Sequence, residues 1–92
     1  MENGDYAAVF EDIAVLLRKK KENIFKIRAY EKIARSIREL KEPVETIVKE
    51  NRIDTINGAG EAISKKLQEM TATGKLQFYE KLKSEFTPES RA

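Results

Sequence analysis

From Tyr6 to Leu40 the apolar residues recur three and four positions apart, and no stretch alternates them two apart. That spacing places the apolar side chains on one face only if the segment is an α-helix. Tyr6, Val9, Phe10, Ile13, Ala14, Leu16 and Leu17 make one stripe. Ile24, Ile27, Tyr30, Ile33, Ala34, Ile37 and Leu40 make a second, after the break "KKKEN". Asn3 or Asp5 is placed to cap the first helix and Asn23 the second, each side-chain oxygen meeting free backbone N–H groups. Pro43 suits the first turn of a shorter third helix, where its missing N–H is not needed, and Val44, Ile47 and Val48 give that helix one apolar face. "NRIDTINGAG" interrupts the pattern, Ile63, Leu67 and Met70 mark a fourth helix, and Gly74 is a stop signal for it. Leu76, Tyr79, Leu82 and Phe86 mark a fifth. The predicted fold is all-α, a compact bundle of four to five short helices over residues 1–86, with residues 87–92 as a flexible tail.

Composition removes several functions. A chain of 92 residues has room for one domain. It holds no Cys and no His, so it has no disulfide framework, no thiolate metal site and no imidazole base. No run of about 18 apolar residues is present to span a membrane, and "MENGDYAAVF" lacks the pattern of a signal peptide. The expected location is the cytoplasm, or the nucleoid. Net charge is only +2, yet it is unevenly placed. Residues 1–17 carry four acids and no base, whereas Arg18, Lys19, Lys20 and Lys21 run together, followed by Lys26, Arg28, Lys32, Arg35, Arg38 and Lys41. A basic stretch of this kind serves either as a phosphate contact or as a solvated helix face.

The stretch "INGAG" places Gly58 and Gly60 just before the fourth helix. Glycine lets a backbone turn tightly and lets another backbone approach. The first N–H groups of the following helix lack partners and, with the helix dipole, suit a phosphate. A glycine pair alone fits a structural turn equally well. With Ile56 before it and Ile63 and Leu67 after it, the pattern fits a helix-hairpin-helix motif, whose hairpin holds the sugar-phosphate backbone and reads little sequence. That reading requires unpaired amides around residues 58–60, at the protein exterior.

Two stretches carry a resemblance. "NIFKIRAYEKIARSI" (residues 23–37) and "RIDTINGAGEAISKKLQEMTATGKLQFYEKL" (residues 52–82) resemble the N-terminal domain of family X (polymerase beta-like) DNA polymerases. The likeness spans about residues 6–83. It implies binding of gapped or single-stranded DNA near a 5′-phosphate, and a role in DNA repair. In some members it also implies 5′-deoxyribose-phosphate lyase activity through a lysine imine. Lys66 falls at the imine-forming position. Lys26 and Tyr30 match DNA-contacting residues. The backbone carbonyls of Asp54, Ile56 and Ala59 match positions that hold a monovalent cation, Na⁺ or K⁺. Asn57, Ala62 and Phe78 depart from the family pattern, the last two where basic residues stand, which predicts weaker DNA binding. Nothing resembles the polymerase catalytic domain, so polymerisation would need a partner that supplies one.

Helix geometry marks Lys66 independently. At about 100° per residue, Ile63, Leu67 and Met70 share a narrow stripe, Lys66 borders it, and Lys65 points nearly opposite. A lysine at an apolar border loses hydration, which lowers its pKa and frees the amine. The structural alternative is a stem covering apolar surface while the ammonium reaches water. Tyr30 lies on an inner stripe with its hydroxyl in reach of the surface. Arg28, Lys32 and Arg35 share an exposed ridge, on which Glu31 is placed to pair with Arg35. The leading expectation is a monomeric module gripping DNA phosphates through Lys26, Tyr30, Gly58, Ala59, Gly60, Lys65 and Lys66, with no required cofactor. Lyase chemistry at Lys66 is one alternative. The other is a protein-interaction adaptor that has lost DNA binding, recognisable by exposed apolar surface near Phe78 or Phe86.

Overall fold

The computed structural model describes residues 1–86, so the expected tail at 87–92 lies outside the described residues. Every regular element among them is helical: α1 (Asn3–Lys19), α2 (Ile24–Arg38), α3 (Val44–Lys49), a 3₁₀ turn (Ile53–Thr55), α4 (Glu61–Thr73) and α5 (Gln77–Ser84). Four residues link α1 to α2, too few for anything but an antiparallel return. Ion pairs confirm the direction: Arg18 meets Glu31 at 2.6 Å near one end, and Arg38 meets Glu11 at 2.7 Å near the other. Phe10, Ile13, Ile33 and Ile37 fill the seam between them, all fully buried. α3 and α4 continue the core through Ile47, Leu67 and Met70. No helix among the described residues is long and apolar enough to cross a membrane.

Two stripe residues leave the core. Ile24 opens α2 before the helix has reached α1, and it stays 41% exposed. Phe86 lies past the end of α5 and is 38% exposed, because Leu76 and Leu82 already supply that helix's buried contacts.

Helix ends follow the sequence with two corrections. Asn23 caps α2 as expected, accepting the Phe25 N–H at 2.7 Å. Gly74 closes α4 with φ of 76°, a left-handed conformation that glycine adopts without strain. The cap of α1 is instead Glu2, whose N–H donates to the Asp5 carboxylate at 2.8 Å. Asn3 has been drawn off by a distant demand. Pro43 stands one position before α3 rather than inside it, which leaves the Val44 N–H as the first free donor. The Asn3 side chain accepts that N–H at 2.8 Å and donates to the Glu42 carbonyl at 2.9 Å, so one residue of α1 caps α3.

α5 is fixed at both faces. The Tyr79 hydroxyl donates to Asp12 of α1 at 2.5 Å, and the Gln77 N–H donates to the Glu69 carboxylate of α4 at 2.8 Å. Burial raises the pKa of all three tyrosines. Tyr6, fully buried without a hydrogen-bond partner for its hydroxyl, is pushed up to about 12 by burial and the Glu45 carboxylate. Tyr79 is pushed up to about 12 by burial and by its bond to Asp12, and burial also raises Tyr30.

A phenol that keeps its proton to about 12 in the fold, but loses it near 10.0 when unfolded, stabilises the fold fully below pH 10. That stability is lost as pH rises from 10 towards 12. Tyrosinate absorbance is therefore expected to lag behind that of free tyrosine and to rise together with loss of helical circular dichroism. Asn3→Ala is expected to lower stability by about 0.5–2 kcal/mol, the usual range for a lost cap, measured by urea unfolding.

Candidate nucleic-acid interface

The 3₁₀ turn delivers Ile56 into the core, and residues 57–60 then reverse the chain at the surface. The backbone conformation favours glycine at position 58, which also packs against α2. Its φ is +94°, and a Cβ there would lie 3.3 Å from the Lys32 Cγ and 3.7 Å from the Ile33 backbone nitrogen. The hairpin is thus pressed onto α2 at Lys32. Gly60 meets no such crowding and serves as the cap residue of α4, with no side chain to cover the amides that follow.

The donors differ from those expected. The Ala59 N–H donates to the Ile56 carbonyl at 3.0 Å and the Gly60 N–H to the Gly58 carbonyl at 3.1 Å. A turn this tight closes those amides on its own carbonyls. Among the described residues, the N–H groups of Asn57, Gly58, Glu61, Ala62 and Ile63 have no acceptor, since the ladder of α4 begins with Ser64 donating to Gly60 at 2.8 Å. The bend stays at the exterior, but the amides of Ala59 and Gly60, expected to be free, are taken, and the free donors lie at Asn57, Gly58 and the first turn of α4.

Beside that turn lies a cleft of about 530 Å³ between α2, α4, α5 and the end of α1. Its inner wall is an aromatic stack. The Tyr30 ring lies 6.0 Å from Phe10 on one side and 6.1 Å from Phe78 on the other, nearly parallel to both. Lys66 places its Nζ 4.7 Å from the Phe78 centroid. Lys26 and Lys81 also line the cleft, as does Lys20, which is paired with Glu85 at 2.8 Å. Lys26, Lys66 and Lys81 have no carboxylate within ion-pair distance among the described residues. Burial holds the Lys66 pKa below the ordinary lysine value, with Glu69 pulling the other way. The Phe78 ring face favours the charged ammonium, and so opposes the neutral amine that imine formation needs.

The structure brings Lys26, Tyr30 and Lys66 into one cleft, as the sequence suggested. Lys65 is left out. It is exposed, lies 3.9 Å from Glu61, and faces a shallower groove beside Glu61 and Glu69. Ala59 is half-buried against the core rather than presented to solvent. The ridge of Arg28, Lys32 and Arg35 divides: Lys32 lies on the hairpin, whereas Arg35 lines the groove between α1 and α2 with Glu11 and Arg38. Glu31 is held by Arg18, so it does not pair with Arg35. Lys81 was missed. It stands three residues after Phe78 on α5 and returns a cation to the cleft where Phe78 had suggested a loss. Phe25, 75% exposed beside Lys26, lies off the apolar stripe of α2 and was also passed over.

At the hairpin carbonyls, Ile56 spends one lone pair on the Ala59 N–H and retains another. Neutral carbonyls suit an alkali cation and not a transition metal. No cluster of three or more acidic side chains able to hold a metal occurs among the described residues.

A family model described as a helix-hairpin-helix domain matches residues 1–76. The chain belongs to this family. The match covers α1 to α4 and the hairpin; α5, which brings Phe78 and Lys81 to the cleft, follows it. Helix-hairpin-helix domains as a class bind DNA without sequence preference. No curated protein matches the chain.

The partly desolvated Lys66 is expected to titrate below the ordinary lysine value of 10.5. The Lys66 Cε shift, followed by ¹³C NMR against pH, checks this. A midpoint at or above that value would show that burial does not prevail over Glu69 and the Phe78 ring.

Proposed function

We propose that this protein is a DNA-binding module that grips backbone phosphates of gapped or single-stranded DNA, with a 5′-phosphate seated in the Lys26–Lys66–Lys81 cleft. The observation that carries the reading is the convergence of three unpaired lysines with the uncapped first turn of α4. Charge-assisted hydrogen bonds from ammonium groups and helix N–H donors are the strong means of holding a phosphate. None of these groups reads a base edge, so the grip is indifferent to sequence. Phe25 offers an open ring face on which an unstacked base can lie, which favours single strands and gaps over intact duplex. The likeness of residues 23–37 and 52–82 to the N-terminal domain of family X polymerases supports a setting in DNA repair, where a partner would supply the catalytic domain. The same likeness supports a Na⁺ or K⁺ on the carbonyls of Asp54, Ile56 and Ala59.

A lyase at Lys66 is the second reading, favoured by the burial that destabilises its ammonium. The attacking amine would form an imine with the sugar aldehyde and release water. Loss of the sugar proton would then expel the phosphate by β-elimination. The Phe78 contact works against the first step.

Fluorescence anisotropy with a gapped, 5′-phosphorylated oligonucleotide tests the proposal. Affinity is expected to fall steeply with salt, by about 0.7–0.9 in logarithmic slope for each phosphate contacted. The Lys26→Ala and Lys66→Ala variants are expected to flatten that slope and to lose the preference for a 5′-phosphate. A flat titration at low salt would replace the proposal with the protein-interaction reading, for which the partly exposed Phe78 and Phe86 are the available surface. Borohydride trapping on incised abasic DNA decides the lyase: an adduct that disappears in Lys66→Ala establishes it, and the absence of any adduct removes it.

A further inference from the structure

We infer that Lys32 is a phosphate ligand seated by Gly58, and that it carries the DNA grip beyond the cleft along α2. The inference rests on the phosphate-binding reading above and adds a residue that neither the motif nor the cleft contains.

Three observations converge on it. The hairpin is packed onto α2 so closely that a Cβ at Gly58 would lie 3.3 Å from the Lys32 Cγ and 3.5 Å from its Cδ. The stem of Lys32 therefore lies beside the glycine, and its ammonium, two bonds beyond Cδ, is within reach of the hairpin. The Gly58 N–H there is one of the unpaired donors. Lys32 is also exposed and has no carboxylate within ion-pair distance among the described residues. Its neighbour Glu31 is committed to Arg18 at 2.6 Å. One turn earlier on the same side of α2, Arg28 is likewise exposed and unpaired.

The spacing fits a single strand. Lys26 and Lys32 are six residues apart, about 9 Å along the helix axis and about 120° around it, so a strand joining them wraps partway around α2. Each strand of duplex DNA carries a charge every 3.4 Å or so along its axis, and a drawn-out single strand carries fewer, so that axial span corresponds to at most about two or three phosphates. A backbone entering at the cleft would reach the hairpin within that distance and meet Lys32 there. Arg35 belongs to the same sequence ridge but lines the groove with Glu11 and Arg38, so it stands off this path.

The test compares Lys32→Met with Arg35→Met in the full chain, by anisotropy on single-stranded and gapped DNA over a range of salt. Methionine keeps a stem to lie beside Gly58 and removes only the charge, and circular dichroism melts confirm that both variants fold. Lys32→Met is expected to lower the salt slope by about 0.7–0.9, and to weaken binding about fivefold at 0.1 M salt. Arg35→Met is expected to leave the slope unchanged. Wild-type binding with an undiminished slope in Lys32→Met overturns this inference alone. Equal losses in the two variants also overturn it, since they would reflect overall charge. Failure of the wild type to bind DNA at low salt overturns the DNA-binding reading and this inference together.

Discussion

The buried ring of Tyr30 is the contact on which the arrangement depends. It joins Phe10 of α1 to Phe78 of α5 in one stack, and so sets three helices relative to one another. Each such aromatic pair contributes about 0.5–1.5 kcal/mol beyond the area it buries. Its larger effect is geometric. Phe78 packs between Tyr30 and Lys66, and α5 is held in place by Leu76 and Leu82 in the core and by Glu69 and Asp12 at Gln77 and Tyr79. The outer end of a core stack thereby becomes the wall of a surface cleft.

Two opposed effects act on Lys66. Burial penalises its ammonium, while the ring face of Phe78 stabilises it. A binding site needs the charge retained, and an imine-forming site needs it shed. The ring contact, together with Lys26 and Lys81 left without carboxylate partners, favours binding as the main use of the cleft. The surrounding acids agree with this division. Arg18, Arg38 and Arg52 are each committed to a glutamate, with Arg38 fixed by two bonds to Glu11, and Lys20 at the cleft is held by Glu85, whereas Lys26, Lys66, Lys81 and Lys32 have no carboxylate within ion-pair distance among the described residues.

Much of this was legible in the residues. The helical period of the two long stripes fixed α1 and α2, and Asn23 and Gly74 marked helix ends because each satisfies a local backbone need. Lys66 was singled out by the resemblance to family X polymerases, and helix geometry placed it at the border of the Ile63–Leu67–Met70 stripe. Most of the misses share a cause, a partner distant in sequence; the hairpin amides are the local exception. Asn3 left its own helix to cap α3, forty-one residues away. Glu31 chose Arg18 on α1 over Arg35 on its own helix. Lys81 and Lys32 gained their places from the packing of α5 and of the hairpin, which no local pattern encodes. The amides of Ala59 and Gly60 were lost to the hairpin's own carbonyls, a detail of turn geometry that Gly-x-Gly does not specify.

The central claim is that the first turn of α4 and the lysine cleft beside it receive a phosphate. The most direct measurement is a ¹H–¹⁵N NMR titration with a short 5′-phosphorylated single strand. The account predicts the largest amide shifts at Gly58, Glu61, Ala62 and Ile63, with side-chain changes at Lys26, Lys66 and Lys81. Shifts confined to the α1–α2 groove around Glu11 and Arg35, or no shifts at all, would contradict it.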